Sequence, residues 1–149
     1  MTVYIGIGSN IGEKRQNCLR AVEMLQANGM VVTARSGMYQ TEAWGDTDQP
    51  DFINMCVEVE TELPPFELLK TLKAIEVAMG RVPTRIWGPR VIDLDILLYG
   101  ELVVQEDGLV IPHPYMHQRG FVLHPLREIA PGVVHPLLNE SIEELANEV

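Results

Sequence analysis

Two strand-like runs, residues 30–38 and 52–60, flank a segment that offers no helix. Residues 39–51 mix Gly, Pro, Asp, Thr and Gln and read as a long loop. Parallel neighbours require a crossover, usually helical, and there is no room for one here. The two runs therefore cannot belong to one β-α-β unit. That excludes the fold suggested by the start of the chain. There, Gly6-Ile7-Gly8-Ser9-Asn10-Ile11-Gly12 follows a strand and opens a helix, like a dinucleotide-binding fingerprint. Ala34-Arg35-Ser36 even mimics a 2′-phosphate site. The glycines read instead as a tight strand-to-helix turn, bordering whatever site the chain carries.

The remaining pattern gives an element order. Residues 2–8 form a short apolar strand. Residues 13–27 place Cys18, Ala21, Val22 and Leu25 on one helical face, and Asn28-Gly29 ends that helix. Residues 52–60 alternate Ile53, Met55, Val57 and Val59 with Asn54, Cys56 and Glu58, which predicts a half-buried strand. Pro64-Pro65 precedes a helix over 66–79, with Leu69, Leu72, Ile75, Ala78 and Met79 as its apolar side and Gly80 as its C-cap. Residues 81–90 are a loop and 91–99 a strand. Two short β pieces surround Glu106-Asp107-Gly108, and 121–129 is a short helix. Ser141-Ile142-Glu143-Glu144 is a capping box opening a terminal helix. The order β-α-β, β-α-β plus C-terminal additions predicts an α/β (α+β) ferredoxin-like sandwich: a mainly antiparallel sheet with helices on one face. It spans 1–149 as a single domain.

Chemistry concentrates in Gly88-Pro89-Arg90-Val91-Ile92-Asp93-Leu94-Asp95. On a strand, Asp93 and Asp95 share a face, while Ile92, Leu94, Ile96 and Leu98 line the other. Aspartate is depleted in strands, and two like charges on one face repel. A hard cation resolves the conflict, and Mg²⁺ commonly takes one or two carboxylates plus substrate phosphates. Arg81, Arg85 and Arg90 lie just upstream to meet such phosphates. The net charge of −10 argues against nucleic-acid binding, which needs a basic footprint. Between Arg81 and Arg90 the sequence holds three arginines and no acid, so the cations are local. No apolar run reaches membrane-spanning length. The first residues lack a basic segment before their apolar run, which reads as cytoplasmic rather than secreted. Cys18 and Cys56 read as buried free thiols. His113 and His117 are not zinc-like, because Pro112 and Pro114 prevent a helical pair.

Five segments together resemble the 6-hydroxymethyl-7,8-dihydropterin pyrophosphokinase family of folate biosynthesis. They are Gly8-Ser9-Asn10-Ile11-Gly12, Gln49-Pro50-Asp51-Phe52-Ile53-Asn54, Glu76-Val77-Ala78-Met79-Gly80-Arg81, the aspartate strand, and Pro112-His113-Pro114 with Arg119-Gly120-Phe121-Val122-Leu123. The resemblance implies a ferredoxin-like fold and transfer of pyrophosphate from ATP to the pterin hydroxymethyl group, releasing AMP. It implies two Mg²⁺ ions held by Asp93 and Asp95, with Asp95 also the candidate base. ATP is the co-substrate. Arg81, Arg90, Arg119 and His113 would contact the nucleotide, joined by Lys73, Glu76, Arg85 and Trp87. Ile96, Leu109 and Val110 would form the adenine pocket. Phe52 and Phe121 would sandwich the pterin, Asn54 would read its polar edge, and Thr41, Glu42 and Trp44 would border it. Trp44 and Trp87 sit on the two long loops, which the family uses as lids.

The chain departs from some relatives at several points. The second lid is one residue shorter, Pro114 stands where a tyrosine can occur, Lys73 where a glutamine can occur, and Glu42-Ala43 replaces a proline pair. A monomer acting on small molecules, with no nucleic acid or membrane partner, is expected. The competing reading is a non-catalytic ferredoxin-like module that binds a small ligand or regulates a partner. An RNA-binding module lacks its basic surroundings. Ordinary γ-phosphoryl transfer would have to proceed without a P-loop, since the sequence has no G-x-x-x-x-G-K-[ST].

Overall fold

The computed structural model describes residues 1–43, 48–81 and 89–149. Its main sheet is built from β1 (Thr2–Ser9), β2 (Val31–Arg35), β3 (Tyr39–Thr41), β4 (Phe52–Glu60) and β5 (Asp93–Tyr99), in the order β2-β4-β1-β5, with β3 also paired to β4. The pairs β1–β4, β1–β5, β2–β4 and β3–β4 are antiparallel. Helices α1 (Lys14–Ala27) and α2 (Pro65–Ala78) connect the strands that the sequence order requires. A separate hairpin joins β6 (Val104–Glu106) to β7 (Leu109–Ile111). Its two-residue turn ends in Gly108 at φ +85°, a conformation glycine adopts without strain. Helices α3 (Gly120–Ile129) and α4 (Ile142–Asn147) complete the chain. This is the expected ferredoxin-like sandwich.

The α1 face is the predicted one: Cys18, Ala21, Val22 and Leu25 are buried. Both cysteines are buried free thiols. The Ser141 capping box forms, with the Glu144 N–H donating to Ser141 Oγ and the Ser141 N–H to Glu144 Oε1.

Four expectations are corrected. First, the sheet is covered on both faces. One core joins α1 and α2 to Ile5, Ile53 and Val57. A second joins Leu123 and Leu126 of α3 and Leu145 of α4 to Cys56 and Leu97. The C-terminal additions thus bury the face that was expected to be open, and β4 is buried from Ile53 to Val57 rather than half-buried. Second, the run 30–38 ends early. The Ser36 N–H still donates to the Cys56 carbonyl (2.9 Å), but the Ser36 hydroxyl, in place of its carbonyl, accepts the Cys56 N–H (2.9 Å), and β3 forms within the expected loop. Third, Tyr4 pairs with Leu98 but Ile5 with Ile96, so β5 carries an extra residue there. Such a bulge breaks the alternation: Leu98 joins Leu97 in the second core, and Tyr99 takes its place in the first. Fourth, α2 buries Leu68, Leu72, Ile75 and Glu76, while Ala78 is exposed. Met79 is the C-cap residue and Gly80, at φ +93°, follows it.

Candidate functional site

The site grows from the middle of the sheet. In register, Gly8 of β1 lies between Asn54 of β4 and Asp93 of β5, and Gly6 lies between Cys56 and Asp95. Residues two apart on a strand share a face, so the glycines form a floor flanked by Asn54 on one side and the carboxylates on the other. A Cβ on Gly8 would stand 2.7 Å from Asn54 Oδ1. Gly8 is therefore needed for close approach of a side chain and not for a turn. In this segment only Gly12, at φ +74°, has the left-handed conformation. The turn reading of Gly6 and Gly8 is corrected on this point.

Two cavities meet over the aspartates. The first, about 270 Å³, is lined by Phe52, Asn54, Phe121, Arg119, Thr41 and Glu42, with Arg90 at its wall. The second, about 380 Å³, is lined by Lys73, Glu76, Arg81, Ile96, Leu109 and Val110. Asp93, Asp95, His113 and Pro114 line both. All the predicted site residues among those described therefore line these two adjoining cavities. Trp44, Arg85 and Trp87 lie outside the described residues. Sequence reasoning missed Leu97 and Tyr115, which line the first cavity. Tyr115 directly follows Pro114, so a tyrosine is present one position beyond where it was sought.

The end of α2 places Arg81. The Gly80 N–H donates to the Val77 carbonyl and the Arg81 N–H to the Glu76 carbonyl (3.0 Å each). This pattern closes a helix with its next residue folded back. The guanidinium returns to the helix: Arg81 Nη1 lies 2.7 Å from Glu76 Oε2 and 3.4 Å from Asp93 Oδ1. Glu76 also accepts the Leu94 N–H of β5 at 2.9 Å. Burial pushes the Glu76 carboxyl up, while the Leu94 N–H and Arg81 act against that shift.

The strongest electrostatic feature is Asp95. Burial and the neighbouring Asp93 charge push its carboxyl up to about 8, against the opposing pull of Arg119 and Arg81. His113 Nε2 stands 4.0 Å from Asp95 Oδ1. Burial, with a smaller effect of Arg119, pushes His113 down to about 4, so its imidazole is neutral at pH 7. The Arg119 guanidinium lies 5.2 Å from the Tyr115 ring centre and 5.3 Å from that of Phe121. Both distances suit cation–π attraction. On the first-cavity side, Asn54 Nδ2 donates to Thr41 Oγ1 at 2.6 Å. The pairing of Thr41 with Phe52 sets that contact.

The donor set fits Mg²⁺. Asp93 and Asp95 are both hard oxygen donors, and a divalent cation held by them would offset the Asp93 charge that adds to burial in raising Asp95. Among the described residues, no three His, Cys, Asp or Glu side chains are grouped to hold a metal. Further ligands would have to come from phosphate and water, the usual pattern for this ion.

Fold and site together define a class: a ferredoxin-like protein in which two ligand chambers share a carboxylate pair. The family model described as 7,8-dihydro-6-hydroxymethylpterin-pyrophosphokinase matches residues 4–131, and the chain belongs to that family. Relatives named 2-amino-4-hydroxy-6-hydroxymethyldihydropteridine pyrophosphokinase are similar over most of their length. The one from Methylorubrum extorquens is 52% identical, covering 88% of this chain and 84% of its own. That from Haemophilus influenzae is 42% identical, covering 99% and 94%. The fold resembles part of the solved Plasmodium falciparum HPPK-DHPS structure, with TM-score 0.79 at 17% identity. The match covers 99% of this chain but only 42% of that one.

Proposed function

We propose that this pyrophosphokinase, in folate biosynthesis, transfers the terminal pyrophosphoryl group of ATP to the hydroxymethyl oxygen of 6-hydroxymethyl-7,8-dihydropterin and releases AMP. A bond forms from that oxygen to the β-phosphorus. The bond from the β-phosphorus to the oxygen bridging it to the α-phosphate breaks, and AMP leaves with that oxygen. The hydroxyl proton is released, with Asp95 the candidate acceptor. The observation that carries this reading is the meeting of two cavities at Asp93 and Asp95. A transfer between two bound substrates needs such a shared wall, since proximity and alignment supply much of the rate.

The first cavity takes the pterin. Phe52 and Phe121 offer apolar ring faces to a flat heteroaromatic, and Asn54 offers an amide with both donors and an acceptor. Thr41 and Glu42 border it, and Trp44 is assigned to the same ligand. The second cavity takes the nucleotide: Ile96, Leu109 and Val110 surround adenine, and Lys73, Glu76, Arg85, Trp87 and His113 assist. Arg81, Arg90 and Arg119 meet phosphate with permanently charged guanidinium groups. Asp93 and Asp95 would hold two Mg²⁺ ions, which would supply charge neutralisation on the phosphates. Neutral His113 can donate a hydrogen bond without adding charge. The protein works as a cytoplasmic monomer, without nucleic-acid or membrane partners. Among the described residues no helix is long and apolar enough to cross a membrane.

The test is chromatography of nucleotides after incubation with ATP, Mg²⁺ and the reduced pterin. AMP formed in step with pterin consumption is the expected result. ADP would mean γ-phosphoryl transfer, and no nucleotide consumption by folded protein would leave a binding module.

A further inference from the structure

We propose that Asn10 is a positioning residue for the transfer: one buried amide fixes the backbone of Arg90 and ties it to the chain entering β4. The inference rests on the reading of Arg90 as a phosphate contact. Asn10 follows the last residue of the central strand β1 and is only 2% exposed. Its N–H donates to the Arg90 carbonyl at 3.0 Å. Its Oδ1 accepts the Arg90 N–H at 2.7 Å. Arg90 is thus clasped through its backbone on both sides. The Nδ2 of the same side chain donates to Gln49 Oε1 at 2.7 Å and to the Pro50 carbonyl at 3.0 Å. Two residues further on, β4 begins with Phe52, and Asn54 follows.

A residue that merely capped its own turn would bond within the turn. The side-chain partners of Asn10 lie 39, 40 and 80 positions away. They belong to the two chain segments that lead into the pterin side and out to the phosphate side. The neighbourhood repeats the arrangement more weakly. Asn17 Nδ2 donates to the Val91 carbonyl at 3.4 Å, and Lys14 Nζ to the Asp51 carbonyl at 3.0 Å. The chemistry demands an amide. Aspartate would keep the acceptor for Arg90 but lose both donors to Gln49 and Pro50, and alanine would lose all three contacts. The consequence is that Arg90 is aimed from the rigid central strand. Its position is then linked to that of the pterin wall. A misplacement of about 1 Å at a transferring group can cost about a hundredfold in rate.

The test is a double-mutant cycle between Asn10→Ala and Arg90→Ala. It uses the full chain, AMP formation at saturating substrates, and melting curves to confirm folding. Asn10→Ala is expected to lower kcat about 30-fold. In the Arg90→Ala background it should add less than about threefold, because residues acting through one another are non-additive. Equal losses in both backgrounds, or an unchanged kcat in folded Asn10→Ala, would overturn the proposal. If Asn10→Ala does not fold, Gln49→Ala enters the same cycle. A loss of about threefold that disappears with Arg90 removed supports the link, and a loss that persists refutes it. Wild-type protein that forms no AMP would instead sink the functional reading itself.

Discussion

The two chambers over the aspartate pair recognise their ligands by different means. The first is built from side chains locked to one another. Asn54 is held by Thr41, Arg119 lies close to two aromatic rings, and the floor is glycine so that nothing else intrudes. The second sets apolar Ile96, Leu109 and Val110 beside charged Lys73, Glu76 and Arg81, and of these Arg81 also reaches Asp93. The difference teaches where specificity resides. A rigid polar edge rejects a ligand that leaves its groups unpaired, whereas an apolar wall discriminates by only a few kcal/mol at most. Substitutions in the first chamber should therefore affect choice of acceptor, and those at the shared wall should affect rate.

The largest effect is expected at the shared wall. Asp95→Asn should lower kcat about a thousandfold, because it removes charge where several kcal/mol of stabilisation is needed. Near-normal turnover would end the case for Asp95 in the reaction. The same substitution should act oppositely on stability. The folded-state value of about 8 lies above the ordinary 3.8. Between those values the folded chain binds a proton that the unfolded chain does not. The stability this gives is complete at low pH and is lost as pH rises through 8. Metal-free Asp95→Asn should therefore melt higher than wild type at pH 9, by a few degrees, and nearly equally at pH 4. The side chain is 40% exposed, so screening limits the gain to about 1 kcal/mol. A higher melting point at pH 4 than at pH 9 in the difference curve would contradict the assignment.

Arg81→Ala comes next. It breaks the contacts to Glu76 and Asp93 and removes one phosphate charge. A loss of about a hundredfold in kcat/KM for ATP is expected, with a much smaller change in pterin KM. Equal changes for both substrates would blur the division between the chambers.

Much of this division is legible in the sequence, and the illegible part has definite causes. The aspartate alternation and the α1 face follow from local periodicity, and the antiparallel order from the element order and the missing crossover before residue 52. The second core does not, because α3, with α4 packed on it, approaches β4 from far along the chain, and a buried polar face on β4 looks like an open one. The bulge near Leu97 is also invisible, since one extra residue in a ladder leaves no compositional trace. Residues of the site with unusual chemistry, such as Asp93, Asp95 and the arginines, announce themselves. Gly8, Tyr115 and Asn10 do not, because their importance lies in what stands opposite them across the sheet or across a turn.

Gly8 offers a way to separate shape from hydrogen bonding in the first chamber. Asn54→Ala should raise pterin KM about tenfold, the cost of leaving polar groups on the ligand unpaired. Gly8→Ala should approach that value with the amide still present, because the new Cβ pushes against Asn54 Oδ1 and sits 3.5 Å from Phe52 Cδ2. Its melting temperature should hardly change, since the group that must yield is the tip of a side chain. A large drop in melting temperature without a change in KM would mean that Gly8 serves the fold and not the cavity.

The smallest effect is expected at Lys73, on the outer wall of the second chamber. Lys73→Gln exchanges an exposed ammonium for a neutral amide of similar reach. Exposed charges contribute little, about 0–1 kcal/mol, and salt screens them. ATP KM should rise less than about fivefold at low ionic strength and merge with the wild-type value at 0.5 M salt. A rise that survives salt would place the ammonium in direct contact with phosphate, making the second chamber as dependent on fixed side chains as the first.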